Sequence, residues 1–325
     1  MEQNNSNMWG EKPYYSLDYY CKQTYGEKLY KIAINAGLTC PNRDGTLDTR
    51  GCIFCSAGGS GEFATHCHGG MKEQIEAGRQ LFHEKKTGTS FIAYFQAFTN
   101  TYGQLSYLEK IYREALLEEC IAGISIATRP DCLSPEVLSL FERLMVEFQG
   151  KFIWVELGLQ TIHEKTAQFI RRGYSLLVFE QALVKLHELH IPVIVHVIIG
   201  LPGESEQMLL QTIHYLNQCS VFGIKLQLLH VLRGTDLATL YENNELHILS
   251  ETEYLNLLID CIRHLSPDTV IHRLTGDGPK ELLLAPLWSQ NKRHVLNTLH
   301  KQLKVEHIYQ GMDLSKKRSS IIPKA

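Results

Sequence analysis

Short runs rich in β-branched and aromatic residues alternate with amphipathic stretches of helical period from about residue 28 to residue 230. This is the pattern of βα units, in which a strand buried on both faces feeds a helix that packs back on the sheet. Strands are expected near Lys28–Ala36, Ser90–Phe98, Ile121–Thr128, Phe152–Leu159, Pro192–Ile199 and Gly223–Leu229. Helix starts mark the segments between and after them. Ser134 precedes a proline at the first helical position, Ser175 precedes LLVFEQALVKLHELH, and Ser250 with Glu253 spells a capping box before YLNLLIDCIRHL. The expected fold is α/β: a partial (β/α)6 TIM-like barrel over residues 28–235, an N-terminal extension over 1–27, and a helical, basic C-terminal extension over 236–325 packed on the barrel.

The unusual polar and glycine-containing sequences fall just after these strands. They are Asn35–Cys40, Gln96–Thr101, Ala127–Asp131, Glu156–Thr161, Gly200–Glu204 and His230–Thr235. In βα barrels the C-terminal strand ends are where ligands bind. A barrel without function would tolerate plain turns at most of these places.

Composition narrows the class. Hydrophobic residues make up 44% of 325, enough for a sizeable core, and no apolar run approaches the ~18 residues needed to span a bilayer. No membrane partner is expected. The polar start MEQNNSNMWGEKPYY does not read as a signal peptide. Nine cysteines, an odd number, fit a reducing compartment, so a cytoplasmic location is expected. The net charge of −3 argues against a general polyanion binder. Residues 276–325, however, carry nine Lys or Arg against four acids, a net +5, which leaves −8 on the rest. Such asymmetry points to nucleic acid or, more plainly, to a solvated helix face with a basic tail.

Cys40, Cys52 and Cys55 are the sharpest chemical signal: a Cys-x-x-Cys pair with a third thiol upstream and no fourth. Three thiolates can hold three irons of a four-iron cluster and leave the fourth open. The same pair is also a zinc half-site or a redox pair, and His66, Cys67 and His68 lie close enough in sequence to complete a zinc set. On the cysteines alone, cluster and zinc both stand. Cys21, Cys120, Cys132, Cys219 and Cys261 read as buried thiols.

The motifs TCPNRDG, YFQAFTNTY, TRPDCL, ELGLQT, RRGY, VIIGLPGE and HRLTGDGPK occur in order across residues 28 to 280. Together they resemble the radical S-adenosylmethionine (SAM) superfamily, specifically the YtqA/YhcC-type proteins, which are similar in turn to the radical SAM domain of the Elongator catalytic subunit. The resemblance implies a radical SAM partial barrel with two cofactors, a [4Fe-4S] cluster on Cys40, Cys52 and Cys55 and SAM on its open iron. An electron then splits SAM into methionine and a 5'-deoxyadenosyl radical. It further implies SAM contacts from Phe54, Gln96, Arg129, Asp131, Glu156, Gln160, Gly200 and Pro202. Glu156 pairing with Arg129 inside the barrel is the structural alternative. Two departures stand out. Eleven residues separate Cys40 and Cys52 where the commonest spacing has three, and the Gly-Gly-Glu motif of many relatives is replaced by Gln96–Asn100. Too few residues follow the sixth strand for the Elongator acetyltransferase domain.

The YtqA-like branch implies a tRNA substrate, with hydrogen abstraction from the 5-carboxymethylaminomethyl group of a wobble uridine toward the aminomethyl form of mnm5s2U biosynthesis. A flavodoxin or ferredoxin would be the electron donor. Tyr174, Arg273, Asp277 and Lys292 are the candidate substrate residues. Arg171, Arg172, Arg293 and Lys316 to Arg318 are candidates to hold phosphates, and Trp288 or Tyr174 to stack on a displaced base. Trp288 also reads as a core or lid residue, and Arg273 as an ion-pair partner of Asp277. Two other readings remain: a radical SAM enzyme for a small molecule such as a tetrapyrrole, and a zinc-stabilised RNA-binding protein without catalysis.

Overall fold

The computed structural model describes residues 8–59, 61, 64, 70–82 and 88–314. The chain runs α1 (Leu17–Tyr25), β1 (Tyr30–Ile34), α2 (Met71–Gln80), β2 (Phe91–Phe95), α3 (Leu105–Leu117), β3 (Ile121–Thr128), α4 (Pro135–Glu147), β4 (Phe152–Gln160), α5 (Glu164–Phe169), α6 (Leu176–Glu188) and β5 (Val193–Ile199). It continues through α7 (Glu206–Gln218), β6 (Gly223–Leu228), β7 (Val231–Leu232), α8 (Asp236–Glu242), α9 (Glu251–His264), β8 (Val270–Arg273), β9 (Leu283–Ala285) and α10 (Lys292–Val305). The main sheet has seven strands in the order β1-β2-β3-β4-β5-β6-β8, the α/β partial-barrel class; β7 and β9 form a separate antiparallel pair. Among the described residues no helix is long and apolar enough to cross a membrane.

All six expected strands are present, shorter at half of their ends. A seventh, β8, lies in the segment expected to be helical, and pairs parallel with β6 from Gly223↔Val270 onward. Its four residues, Val-Ile-His-Arg, are too short and too polar at the end to announce a strand. The helix starts divide. Ser134 accepts from Val137 N, and Ser250 with Glu253 completes the capping box, whereas Ser175 holds the N-cap position of α6 without a side-chain bond to the helix.

The residues cluster into two compact units. One comprises Cys21–Leu159 and Gln168–Val195. Its strands β1 to β4 pair in parallel, and the alternation along them sets the interior: Lys31 on β1, Ser125 on β3 and Glu156 on β4 share one layer. The other unit comprises Met1–Tyr20, Gln160–Ala167 and His196–Ala325. There Ile271 N donates to Tyr15 O at 2.7 Å, so the segment before α1 covers the free edge of β8. Gln310, 1% exposed, fastens that segment: its backbone N donates to Pro13 O, its Oε1 accepts from Tyr15 N, and its Nε2 donates to Ser266 O and Thr269 O.

Candidate functional site

The loop after β1 carries Cys40, Cys52 and Cys55, and its backbone is folded tightly on itself. Cys40 O accepts from Arg43 N at 2.8 Å and from Asp44 N at 3.2 Å; Cys52 O accepts from Cys55 N at 3.0 Å. Asn42 O accepts from Gly51 N at 2.7 Å, and Ile170 O accepts from Ile53 N at 3.3 Å. The Arg43 guanidinium donates to Cys55 O and Ser56 O, and Asn42 Nδ2 donates to Arg171 O at 2.8 Å. The loop is thereby fastened along the turn 170–172. Beyond Cys55, a Cβ on Gly59 would meet the Phe98 ring at 2.3 Å, so only glycine lets the strand-two end seat against this loop.

The three thiols are in no disulfide and are half-buried. Cys52 Sγ donates to Arg171 O at 3.5 Å and lies 3.6 Å from Asn42 Nδ2. Burial pushes the Cys52 thiol up to about 12; Cys55 and Cys40 add to the shift, and Arg129 opposes it. The thiols are therefore close enough to feel one another's charge, and ligating a cation releases their protons. Among the described residues no three Cys, His, Asp or Glu side chains converge on a point for a single metal ion. The donor set fits a three-thiolate cluster. Cys67, with His66 and His68, lies outside the described residues.

Behind the cysteines sits a cation layer. Arg129 Nε and Nη2 bind both oxygens of Asp131 at 2.9 and 2.7 Å, and its Nη1 donates to Arg172 O. Arg172, 1% exposed, donates to Tyr174 O and Leu159 O. The Tyr174 ring has the Arg129 and Arg172 guanidinium carbons each 4.9 Å from its centroid, and its hydroxyl donates to Gly158 O at 2.5 Å. Stacking and hydrogen bonding thus commit Arg172 and Tyr174 to the protein itself rather than to a phosphate or a base. Arg171 Nε likewise donates to Gly51 O. Cys132, half-buried like Cys120 and Cys219 rather than buried like Cys21 and Cys261, is near enough to Cys40 to feel its charge.

One layer down, Glu156 is fully buried and pairs with Lys31 at 2.5 Å, not with Arg129. Ser125 Oγ donates to the same oxygen at 2.6 Å, and the Lys31 ammonium lies 4.8 Å from the Tyr94 centroid. Phe54 and Gln96 are half-buried in this unit, and Gln96 N donates to Ile34 O.

The remaining candidates lie in the other unit. Gln160 ends β4 with φ +61. Gly200 follows β5 with φ +89, and a Cβ there would meet Leu249 Cδ1 at 2.8 Å; half-buried Pro202 follows it. Trp288 is half-buried and donates its indole N–H to Leu249 O at 3.0 Å. Asp277 is bound by Lys292 Nζ at 2.6 and 2.8 Å and lies 4.0 Å from Arg273.

His230, just after β6, stood in one of the expected post-strand segments but without a role of its own. Its Nε2 is 3.2 Å from Ser289 Oγ, whose own proton goes to Pro286 O, so the imidazole is the donor in that pair. Gly276 and Gly278 pack against the ring. Burial depresses its pKa to about 4, with Arg273 and Lys292 acting in the same direction and Asp277 against it. A histidine kept neutral in this way adds stability that is complete above its unfolded pKa, ~6.5, and lost as pH falls toward the folded value. His230→Gln is expected to remove up to ~3 kcal/mol of the stability difference between about pH 7 and about pH 4. Urea unfolding of both proteins at the two pH values checks this, and equal pH dependences would refute it.

Comparison with known proteins places the chain. The profile of the Radical SAM superfamily matches residues 45–216, and that of the Radical_SAM C-terminal domain matches 221–305. The chain is 41% identical over 313 residues to the uncharacterized protein YtqA of Bacillus subtilis, covering 96% of each. It is 34% identical over 294 residues to the protein YhcC of Escherichia coli K12, covering 90% of this chain and 92% of that one. Among solved structures, the archaeal Methanocaldococcus infernus Elp3 with an N-terminal deletion superposes with a TM-score of 0.64 at 16% identity, covering 91% of this chain and 68% of that one. That likeness speaks for the fold.

Proposed function

The chain belongs to the radical SAM superfamily, in the group of YtqA and YhcC, and from that premise we propose that it is a tRNA-modifying enzyme acting on a wobble-uridine side chain. Membership brings a [4Fe-4S] cluster and SAM as cofactors, and the need for a reductant. When bound, these supply a 5'-deoxyadenosyl radical able to take hydrogen from an unactivated carbon. The observation that carries the reading is the cysteine loop: three thiols in no disulfide, on a loop held by its own backbone and by Arg43 and Asn42.

The chain's own residues have separate duties. Cys40, Cys52 and Cys55 ligate the cluster. Arg129 stays fixed on Asp131 and keeps a positive charge near Cys52, which opposes the upward push that burial gives that thiol. In the unit that carries the cysteines, Phe54 and Gln96 contact SAM. Flanking the Tyr174 ring with guanidinium groups holds the 172–174 turn rigid behind the cluster loop, in a protein whose task is to position cofactors and exclude water. A flavodoxin or ferredoxin delivers the electron.

The tRNA assignment is supported by the resemblance to the Elongator subunit and by the +5 charge of residues 276–325. The step is hydrogen abstraction from the 5-carboxymethylaminomethyl group, toward the aminomethyl form. Nucleoside analysis of tRNA from cells lacking the protein tests it: the carboxymethylaminomethyl nucleoside should accumulate and the aminomethyl products vanish. An unchanged profile would remove the tRNA reading and favour a small-molecule substrate.

A further inference from the structure

The basic character of the C-terminal region is organised in a way the sequence total does not show. Helix α10 contains no acidic residue. Val295, Leu299 and Leu303 form its buried stripe, while Arg293, Asn297, Lys301 and Lys304 are exposed on the opposite face. Among the described residues the side chains of Arg293, Lys301 and Lys304 have no carboxylate partner. Their basic neighbours on the same helix are already answered: Lys292 by Asp277 at 2.6 Å and His294 by Glu251 at 3.2 Å. Three unanswered cations therefore line about 16 Å of one helix face, at ~1.5 Å rise per residue. A like-charged row gains nothing for folding, and among the described residues no carboxylate answers it, so the face is open to an anionic partner.

The row also begins in the right place. The Lys292–Asp277 pair ties the first turn of α10 to the loop after β8, the loop that packs on His230 at the end of β6. Those are C-terminal strand ends, the ligand-binding side of βα architectures. A polyanion lying along Arg293, Lys301 and Lys304 reaches the substrate side of this unit at one end.

We propose that the Arg293–Lys301–Lys304 face of α10 is a docking surface for the sugar-phosphate backbone of the RNA substrate, contacting up to three phosphates. This rests on the tRNA reading above and extends it to a specific surface. The spacing suits phosphate contacts, which position a nucleic acid without reading its sequence. The contacts are exposed, so they are strongly salt-dependent.

The test is tRNA affinity measured across a KCl series for the wild type, for Arg293→Gln/Lys301→Gln/Lys304→Gln, and for Lys72→Gln/Lys185→Gln, which removes exposed lysines elsewhere. Each lost phosphate contact lowers the slope of log K against log salt by ~0.7–0.9. The triple variant is therefore expected to lose about 2 to 3 units of slope, whereas the control variant keeps the wild-type value. Dithionite-driven 5'-deoxyadenosine formation without tRNA should be the same in all three proteins. A triple-variant slope equal to wild type, or an equal fall per charge in the control, would overturn the α10 surface while leaving the tRNA reading intact. Absence of salt-dependent tRNA binding by the wild type would overturn both.

Discussion

Cys52→Ala is expected to abolish cluster assembly and with it all reductive cleavage of SAM, while Cys132→Ala retains both. The contrast separates ligation from proximity. Both thiols are buried enough to be pushed up to about 12, and both sense Cys40. Only Cys52 is part of the loop whose backbone closes on Cys40 and Cys55, with Asn42 at its sulfur. The loss of one of three thiolates leaves two, too few to hold a cluster with one open iron. The fold should survive, because the loop is also held by Arg43 on Cys55 O and Ser56 O and by Ile53 N on Ile170 O. Iron and sulfide content after anaerobic reconstitution reads the outcome, with far-ultraviolet circular dichroism confirming folding. A Cys132→Ala protein that loses its cluster, beside a Cys52→Ala protein that keeps it, would reverse the ligand assignment.

Lys31→Met should be the most destabilising single change in the unit that carries the cysteines. It takes from Glu156, which is fully buried, the ammonium bound to its Oε1, an oxygen that also accepts from Ser125. Breaking a buried pair by removing one member costs ~3–5 kcal/mol, because the surviving charge stays desolvated. That is a large part of the ~5–15 kcal/mol by which a typical domain is stable. Replacing both, as Lys31→Met/Glu156→Leu, should recover most of the loss, since a buried pair exchanged for apolar side chains of similar volume is often neutral. Urea midpoints of the three proteins measure this. The double variant also asks what Glu156 is for. If it recovers stability yet binds SAM more weakly, the carboxylate contacts the cofactor; if SAM affinity is unchanged, Glu156 serves the interior alone.

The parts of the fold governed by local pattern were legible. β3 and β4 announced themselves through apolar runs, and Ser250 with Glu253 spelled out its own cap. β8 was hidden by its length, and by a closing His-Arg that reads as a surface turn. The candidate ligand thiols could also be picked out, because their spacing is a local property. Their supports were not. Glu156 meets Lys31 across 125 positions of sequence, which only the strand order brings together. Tyr174 looked available for stacking because nothing nearby in sequence reveals that Arg129 covers one face. The same holds for Arg172, whose guanidinium reaches the Leu159 carbonyl. His230 gave no signal beyond its place after a strand; its character comes from burial against Gly276 and Gly278. The α10 stripe needed the burial of Val295, Leu299 and Leu303 to show which cations face outward.

A SAM-cleaving cluster on the cysteine loop is tested by reconstituting the purified protein anaerobically with iron and sulfide, adding dithionite and SAM, and quantifying 5'-deoxyadenosine beside a Cys55→Ala control. The wild type is expected to form 5'-deoxyadenosine and the control none above background. A wild-type protein that assembles no cluster and instead retains stoichiometric zinc would contradict the cluster assignment.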